Sequence, residues 1–386
     1  MKCNLSDVCE IKYGKDHKHL TDGIIPIYGS GGIMRYGSSA LYDRKSVLIP
    51  RKGTLSNLFF VETPFWTVDT LFYTKIDEMR ILPEYLFYQL SLMNLASLNV
   101  GTAVPSLTIA VLNEIIIDVP KMNEQQIVVE TLASIDAQIE NNTKINHNLE
   151  QQAQAIFKNW FVDFEPFKND EFIESELGPI PAGWRIERIG DLPVTITDYV
   201  ANGSFASLKE NVTLLETPSY AVFVRNVDLK AACFEKYVDE HSYRFLSKSA
   251  LFGGEVIISN VGDVGSVFLC PYLSQPMTLG NNIIMLTVNE HKIQNYFFYL
   301  LFKHSYGAEL IRSITGGSAQ PKFNKTDFRS LRVIMPSNII MDKFLSTVEC
   351  LFQRQVVLAQ ENDRLIELRD LLLPRLMSGE LSVADI

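Results

Sequence analysis

The chain has 386 residues, 47% of them apolar, a formal net charge of −10 and five cysteines. That is enough chain for two or three domains with ample core, in the composition of an ordinary globular protein. No apolar run approaches the ~20 residues of a membrane span, and no Cys-x-x-Cys pair offers a zinc or redox site among Cys3, Cys9, Cys233, Cys270 and Cys350.

The acidic balance argues against nucleic acid as a partner, because phosphates are neutralised by lysine and arginine. Its distribution weakens that objection. Residues 1–122 carry 12 basic and 12 acidic side chains, and residues 189–336 carry 13 of each. The excess acid lies in 123–188, with 5 basic and 12 acidic residues, and in 337–386, with 5 and 8. The N-terminus has no apolar segment of the secretory kind, so a cytoplasmic protein with reduced thiols is expected.

In chain order, a strand over Ile24–Tyr28 is expected to lead into Gly29-Ser30-Gly31-Gly32. This stretch lacks the GxGxxG spacing of a dinucleotide site and suits a tight turn or a close backbone approach. Short apolar runs bounded by turn residues predict strands at Ser46–Pro50, Leu58–Glu62 and Leu71–Lys75, followed by a helix over Pro83–Leu98. A second set repeats the order: strands at Glu255–Asn260, Ser266–Cys270 and Ile283–Val288, then a helix over Gln294–Ile314. Each head is therefore expected to be α+β.

The strongest internal signal is a repeat. Gly101–Pro120 (GTAVPSLTIAVLNEIIIDVP) recurs without a gap as Gly317–Pro336 (GSAQPKFNKTDFRSLRVIMP), and each copy runs into a long heptad-patterned segment. Ser6-Asp7-Val8 similarly matches Gly190-Asp191-Leu192, and Glu84–Tyr88 matches Asn295–Tyr299. The first long helix is expected to be capped by Asn123, with a seam at Leu132, Ile135, Ile139, Asn142, Asn146, Leu149, Ala153, Ile156 and Trp160, and to run out at Pro166. The second has Phe344, Val348, Leu351, Gln355, Leu358, Asn362, Leu365, Arg369, Leu372 and Leu376, with Pro374 ending or kinking it. Both seams are polar near the middle, so the two helices are expected to pair with each other. The resulting division is 1–122 (first head), 123–165 (helix), 166–188 (linker and approach to the second head), 189–336 (second head) and 337–386 (helix and tail).

No phosphate loop, HExxH helix or GxSxG elbow is present. His17 and His19 lack a third metal ligand at helical or hairpin spacing. Binding chemistry is better represented. Arg35, Tyr36, Arg51, Lys52 and Thr54 place cations, an aromatic and a hydroxyl beside turns, where arginine can fork onto guanine and lysine can meet phosphate. Thr102 lies at the start of the first repeat copy. In the second head, Ser318, Gln320, Lys322, Asn324 and Lys325 fill the other copy, and Asn260 stands where Arg51-Lys52 lies in the first. Asn and Gln can pair bidentately with adenine. The same residues also suit ordinary surface turns, and a coiled-coil scaffold with protein-binding heads is the alternative from a different class.

Along nearly its whole length the chain resembles the specificity subunit of type I restriction-modification enzymes. The resemblance rests on YGSGG, LIPRKGT and FWTVDTLFYT in the first head and on GTAVPSL…IIIDVP followed by NEQQIVVETLASIDAQIENN. It continues with LGPIPAGWRIERIGDL and the closing LLLPRLMSGELSV. One departure is that the second helix opens with Ser337-Asn338-Ile339 rather than Asn-Glu-Gln. The resemblance implies a non-catalytic subunit whose two target recognition domains each bind one half of an asymmetric, interrupted DNA site, with an antiparallel coiled coil setting the gap. It further implies two modification subunits that methylate adenine, and restriction subunits. S-adenosylmethionine, ATP and magnesium are then expected in those partners and no cofactor in this chain.

Overall fold

Both heads are built on the same four-stranded antiparallel sheet. The computed structural model describes residues 1–101, 104–288, 291–317 and 320–381. They form two units: Met1–Asn141 together with the segment from Glu361, and Asn142–Gln360.

The first unit contains β1 (Lys2–Asn4), β2 (Cys9–Tyr13), β3 (Asp22–Gly29), β4 (Gly32–Gly37), β5 (Ser46–Pro50), β6 (Phe59–Val61), β7 (Trp66–Thr67) and β8 (Leu71–Ile76). Next come α1 (Pro83–Ser91), α2 (Ile109–Asn113), β9 (Ile116–Asp118) and the start of α3 (Met122–Phe161). The main sheet has the order β2-β8-β5-β6, and a second sheet has the order β4-β3-β7. All five residues of β5 are buried, so the apolar run after Ser46 reads as a strand covered on both faces, and the Ser46 hydroxyl donates to Thr74 O at 2.8 Å. Val47 and Ile49 face the core that holds Tyr85 and Leu86 of α1. Leu48 faces the other way, onto Phe65, Leu71 and Tyr73, as the two-residue period of a strand requires.

The second unit begins within α3 and continues through β10 (Phe172–Ile173), β11 (Ile180–Pro181), β12 (Arg185–Arg188), β13 (Val194–Asp198), α4 (Phe205–Asn211), β14 (Leu214–Leu215), β15 (Ala221–Val224) and α5 (Asn226–Ala231). It goes on with β16 (Tyr237–Val238), α6 (Glu240–Phe245), β17 (Ala250–Leu251), β18 (Val256–Ser259), β19 (Val267–Leu269), β20 (Met277–Leu279) and β21 (Ile283–Val288). The last elements are α7 (Asn295–Lys303), α8 (Ser305–Ser313), α9 (Lys325–Ser330), β22 (Arg332–Met335) and α10 (Asn338–Met377), whose end lies in the first unit.

Here the main sheet is β13-β21-β18-β19, in the same order as in the first head. Val256 and Ile258 of β18 face one core and Ile257 the other. The second sheet is larger, β14-β16-β15-β20-β17, yet it keeps a parallel pairing like the first head's, β15 with β20 as β3 with β7. Equivalence extends to the edges. Cys3 pairs with Ile117 and Glu187 with Val333, while Leu5 N–H donates to Ile115 O and Ile189 N–H to Leu331 O.

Several boundaries differ from the sequence reading. The helix expected over Pro83–Leu98 stops at Ser91 and resumes as a 3-10 turn at Leu95–Leu98. The one expected over Gln294–Ile314 breaks at His304, whose extended backbone ends α7 and whose side chain caps α8. Asn123 lies inside α3 and does not cap it, because Lys121 O receives the N–H of Gln125. That helix ends at Phe161, and Phe164 takes a left-handed backbone with φ 53°. Pro374 sits inside α10, which continues to Met377. Residues expected as linker are built into the second unit: Phe167, Ile180 and Trp184 lie in its core, and β12 pairs with β22.

Within each unit the two long helices run antiparallel. In the first, Val128 and Leu132 share a core with Leu376 and Met377, and Leu372 packs against it. Asp136 also pairs with Arg369 at 3.1 Å. In the second, Ala153, Phe157 and Phe161 share a core with Phe344, Val348 and Phe352, with Ile156 and Leu351 alongside. The polar seam positions are used unevenly. Asn362 donates to Ile139 O at 3.3 Å and Gln355 to Asn146 O at 2.9 Å. Thus α10 supplies these side-chain donors and α3 the carbonyls. Asn142 is buried, as are Ile135 and Leu358, while Leu149 and Leu365 are half-buried.

Candidate nucleic-acid interface

The repeated segment is stitched to each head by one backbone pattern. In the first head, Leu107 N–H donates to Arg51 O at 2.9 Å and Gly53 N–H to Pro105 O at 3.1 Å. In the second, Phe323 N–H donates to Asn260 O at 3.1 Å and Gly262 N–H to Pro321 O at 2.9 Å. Arg51 and Asn260 are therefore structural counterparts. Their own N–H groups donate to Thr70 O and Asn282 O, which makes Asp69-Thr70 the counterpart of Asn281-Asn282.

A cleft opens beside this frame at the same place in both heads, between the chain leaving β2 or β13 and the turn just named. In the first it measures about 700 Å³ and is lined by Asp16, His17 and Lys18, by Ser30, Gly31 and Met34 of the hairpin, and by Asp69 and Thr70. In the second it measures about 480 Å³, with Tyr199, Phe205, Lys209, Asn260, Asn281 and Asn282 among its walls. Asn282 itself has φ 65°, a left-handed backbone that Asn adopts more readily than most residues.

The sequence-selected residues divide between framework and surface. Arg35 is framework: its guanidinium donates to His17 O at 2.7 Å, Leu20 O at 3.0 Å and His17 Nδ1 at 3.3 Å, and meets Asp22 at 3.3 Å. Lys325 is held by Asp198 at 2.8 Å. Asn324 caps α9 by accepting from Asp327 N–H at 2.9 Å, as Thr108 caps α2, so its amide serves the helix. All three thus make polar bonds within the head, Arg35 through most of its guanidinium, Lys325 through one ion pair and Asn324 through its amide oxygen. Arg51 is intermediate: it donates to Asp69 O at 3.0 Å and lies over the Tyr13 ring at 5.3 Å. Asn260 donates to Phe323 O at 3.2 Å, while its Oδ1 is buried without a partner.

Tyr36, Lys52, Thr54, Gln320 and Lys322 are exposed. Lys52 and Lys322 each form a backbone bridge of the frame, to Ser106 and to Val261, which leaves their side chains at the surface beside it. Thr102 and Ser318 lie outside the described residues. The glycine stretch forms the β3–β4 hairpin, with Gly29 paired to Gly32 across Ser30-Gly31. Of the two histidines, His17 accepts from Arg35 and His19 packs edge-on to Trp66. No cluster of metal-ligating side chains occurs among the described residues.

Sequence reasoning missed the cleft walls, namely Lys18, Tyr199, Phe205, Lys209, Asn281 and Asn282. Gly280-Asn281-Asn282 is turn chemistry that could have drawn attention. The rest are assembled from distant segments.

Two α+β heads with different side chains on one repeated frame, joined through long paired-helix segments, define a two-headed recognition protein. The chain belongs to the family described as type I restriction modification DNA specificity domain, whose model matches residues 1–151 and 162–349. It is thus a specificity subunit of a type I restriction-modification system, a family whose role is DNA sequence recognition.

It is 28% identical over 361 residues to the type I restriction enzyme MjaIX specificity subunit of Methanocaldococcus jannaschii, covering 90% of this chain and 80% of that one. It is 26% identical over 374 residues to the HindI specificity subunit of Haemophilus influenzae, covering 78% of each. The crystal structure of the S subunit of a type I system from M. genitalium shares the fold, with a TM-score of 0.57 at 16% identity over 97% of this chain and 95% of that one. Among the described residues no helix is long and apolar enough to cross a membrane.

Proposed function

We propose that the first head reads one half, and the second head the other half, of an asymmetric, interrupted DNA site, and that the chain thereby directs adenine methylation and restriction carried out by partner subunits. The observation that carries this reading is the pairing of Arg51 with Asn260 on one backbone frame beside equivalent clefts. A constant scaffold holds the chain against the duplex while variable side chains select bases. Arginine in one head and asparagine and lysine in the other suit different bases and their flanking phosphates.

In this reading α3 and α10 set the gap between half-sites and carry two modification subunits, for which their acidic faces suit protein better than DNA. The chain supplies no catalytic group. S-adenosylmethionine, ATP and magnesium act in the modification and restriction subunits, and the assembly works in the cytoplasm.

The test is methylation mapping of DNA from cells making this chain with its modification subunit, against cells lacking only this chain. N6-methyladenine gained at a single split, asymmetric motif is the expected result. Protein binding by the heads with no chain-dependent motif, beside an active modification subunit, would overturn it.

A further inference from the structure

The second head's cleft carries an aromatic that the first head's lacks. Phe205 is 81% exposed, although it opens a helix that is firmly held. Ser204 caps α4 by accepting from Ser207 N–H at 3.2 Å, and Leu208 anchors it in a core with Phe223, Val238 and Leu246. Lys209 follows Phe205 by one turn and so shares its face; both line the cleft opposite Asn281 and Asn282. The first head's cleft is lined instead by residues that include Lys18, Ser30 and Met34. An apolar ring carried into water on an anchored helix gains from being covered. Its neighbours here, a lysine and two amides, are groups that meet phosphates and base edges.

We propose that Phe205 is an apolar wedge, which the second head inserts between two stacked base pairs of its half-site while Lys209 meets a flanking phosphate. Phenylalanine is among the side chains that unstack a base step and bend the duplex in this way. The proposal rests on the heads being DNA readers and adds that they differ in mode: the first reads without an aromatic insertion, the second by deforming its half-site. Sequence preference would then arise partly from how readily that step unstacks.

The test uses the full chain assembled with its modification subunits and duplexes carrying 2-aminopurine at successive positions of the second half-site. The wild type should raise fluorescence severalfold at one step. Phe205→Ala should abolish the rise and weaken binding roughly 10-fold, and Phe205→Trp should preserve both. Affinity for a duplex with the second half-site scrambled should be the same for wild type and variant. Retention of both the signal and the affinity in Phe205→Ala would overturn the wedge, as would lost assembly with the modification subunits, which would make Phe205 a protein contact. A wild-type complex that binds intact and scrambled duplexes alike would instead remove the DNA-reading premise itself.

Discussion

Gly53 donates its backbone N–H to Pro105 O, and both Gly53 and its counterpart Gly262 have positive φ, 91° and 77°. A side chain at Gly262 would meet no atom within 4 Å, and one at Gly53 only Ser30 Oγ at 3.6 Å, so the cost of substitution is backbone strain. Gly53→Ala and Gly262→Ala should each lose roughly 1–2 kcal/mol, a few degrees in thermal unfolding for units of this size. Gly31→Ala, in open space without that backbone, is the neutral control. Equal behaviour of all three in a melting experiment would contradict the account of the frame.

Each head grips α3 through a tyrosine at the same repeat position. Tyr88 donates to Asp136 at 2.9 Å and Tyr299 to Glu150 at 2.7 Å. Burial first, then the carboxylate, holds both phenols above the ordinary tyrosine range. Tyr88→Phe and Tyr299→Phe should each cost about 1–3 kcal/mol, since the acceptor is charged. Urea unfolding checks this, and a double variant with Asp136→Asn should cost little more than Tyr88→Phe combined with the loss of the Arg369 contact. Strict additivity would show that the pair does not interact.

Gln125 is wholly buried, accepting from Leu82 N–H at 2.8 Å and donating to Arg80 O and Pro120 O. The second copy has buried Met341 at that position, which gives a physical meaning to the missing Asn-Glu-Gln start. Gln125→Met should cost about 2–4 kcal/mol through the orphaned groups, read by chemical denaturation. A neutral result would mean that water or a rearranged turn replaces the amide.

His304 caps α8, its Nδ1 accepting from Tyr306 N–H at 3.2 Å, which requires that nitrogen unprotonated. Burial, then the Lys158 charge, lowers its pKa from 6.5, with Asp163 opposing. Between the lowered value and 6.5 the unfolded chain binds more protons than the native one, so this contribution is full above 6.5 and lost as pH falls through the folded value. His304→Asn keeps a cap without the titration. Its thermal stability should fall less than the wild type's between pH 7.5 and pH 5; identical slopes would remove His304 as the cause.

Much of this architecture was legible because it rests on short-range patterns. The apolar runs Val47–Ile49 of β5 and Val256–Ile258 of β18 mark strands covered on both faces, and the glycine-to-proline repeat marks the frame common to both heads. The helix seams were legible from spacing, although which side chain donates to which carbonyl was not. The second sheet of the second head escaped notice because β14, β16 and β17 have two residues each, too few to show a period. The bonds of Arg35 to the His17 and Leu20 carbonyls and of Lys325 to Asp198 were not legible, because those partners are remote in sequence. Both clefts draw on several separate segments, which no local pattern reveals.

The central claim is that separate heads read separate half-sites through side chains on one frame. The most direct measurement is the affinity of the assembled complex, wild type or carrying Arg51→Ala or Lys322→Ala, for the intact duplex and for duplexes with one half-site scrambled. Arg51→Ala should weaken binding to the intact duplex by roughly 1–3 kcal/mol and cost nothing further once the first half-site is scrambled. Lys322→Ala should show the mirror dependence on the second half-site. Losses of equal size on every duplex for both variants would contradict the division of reading between the heads.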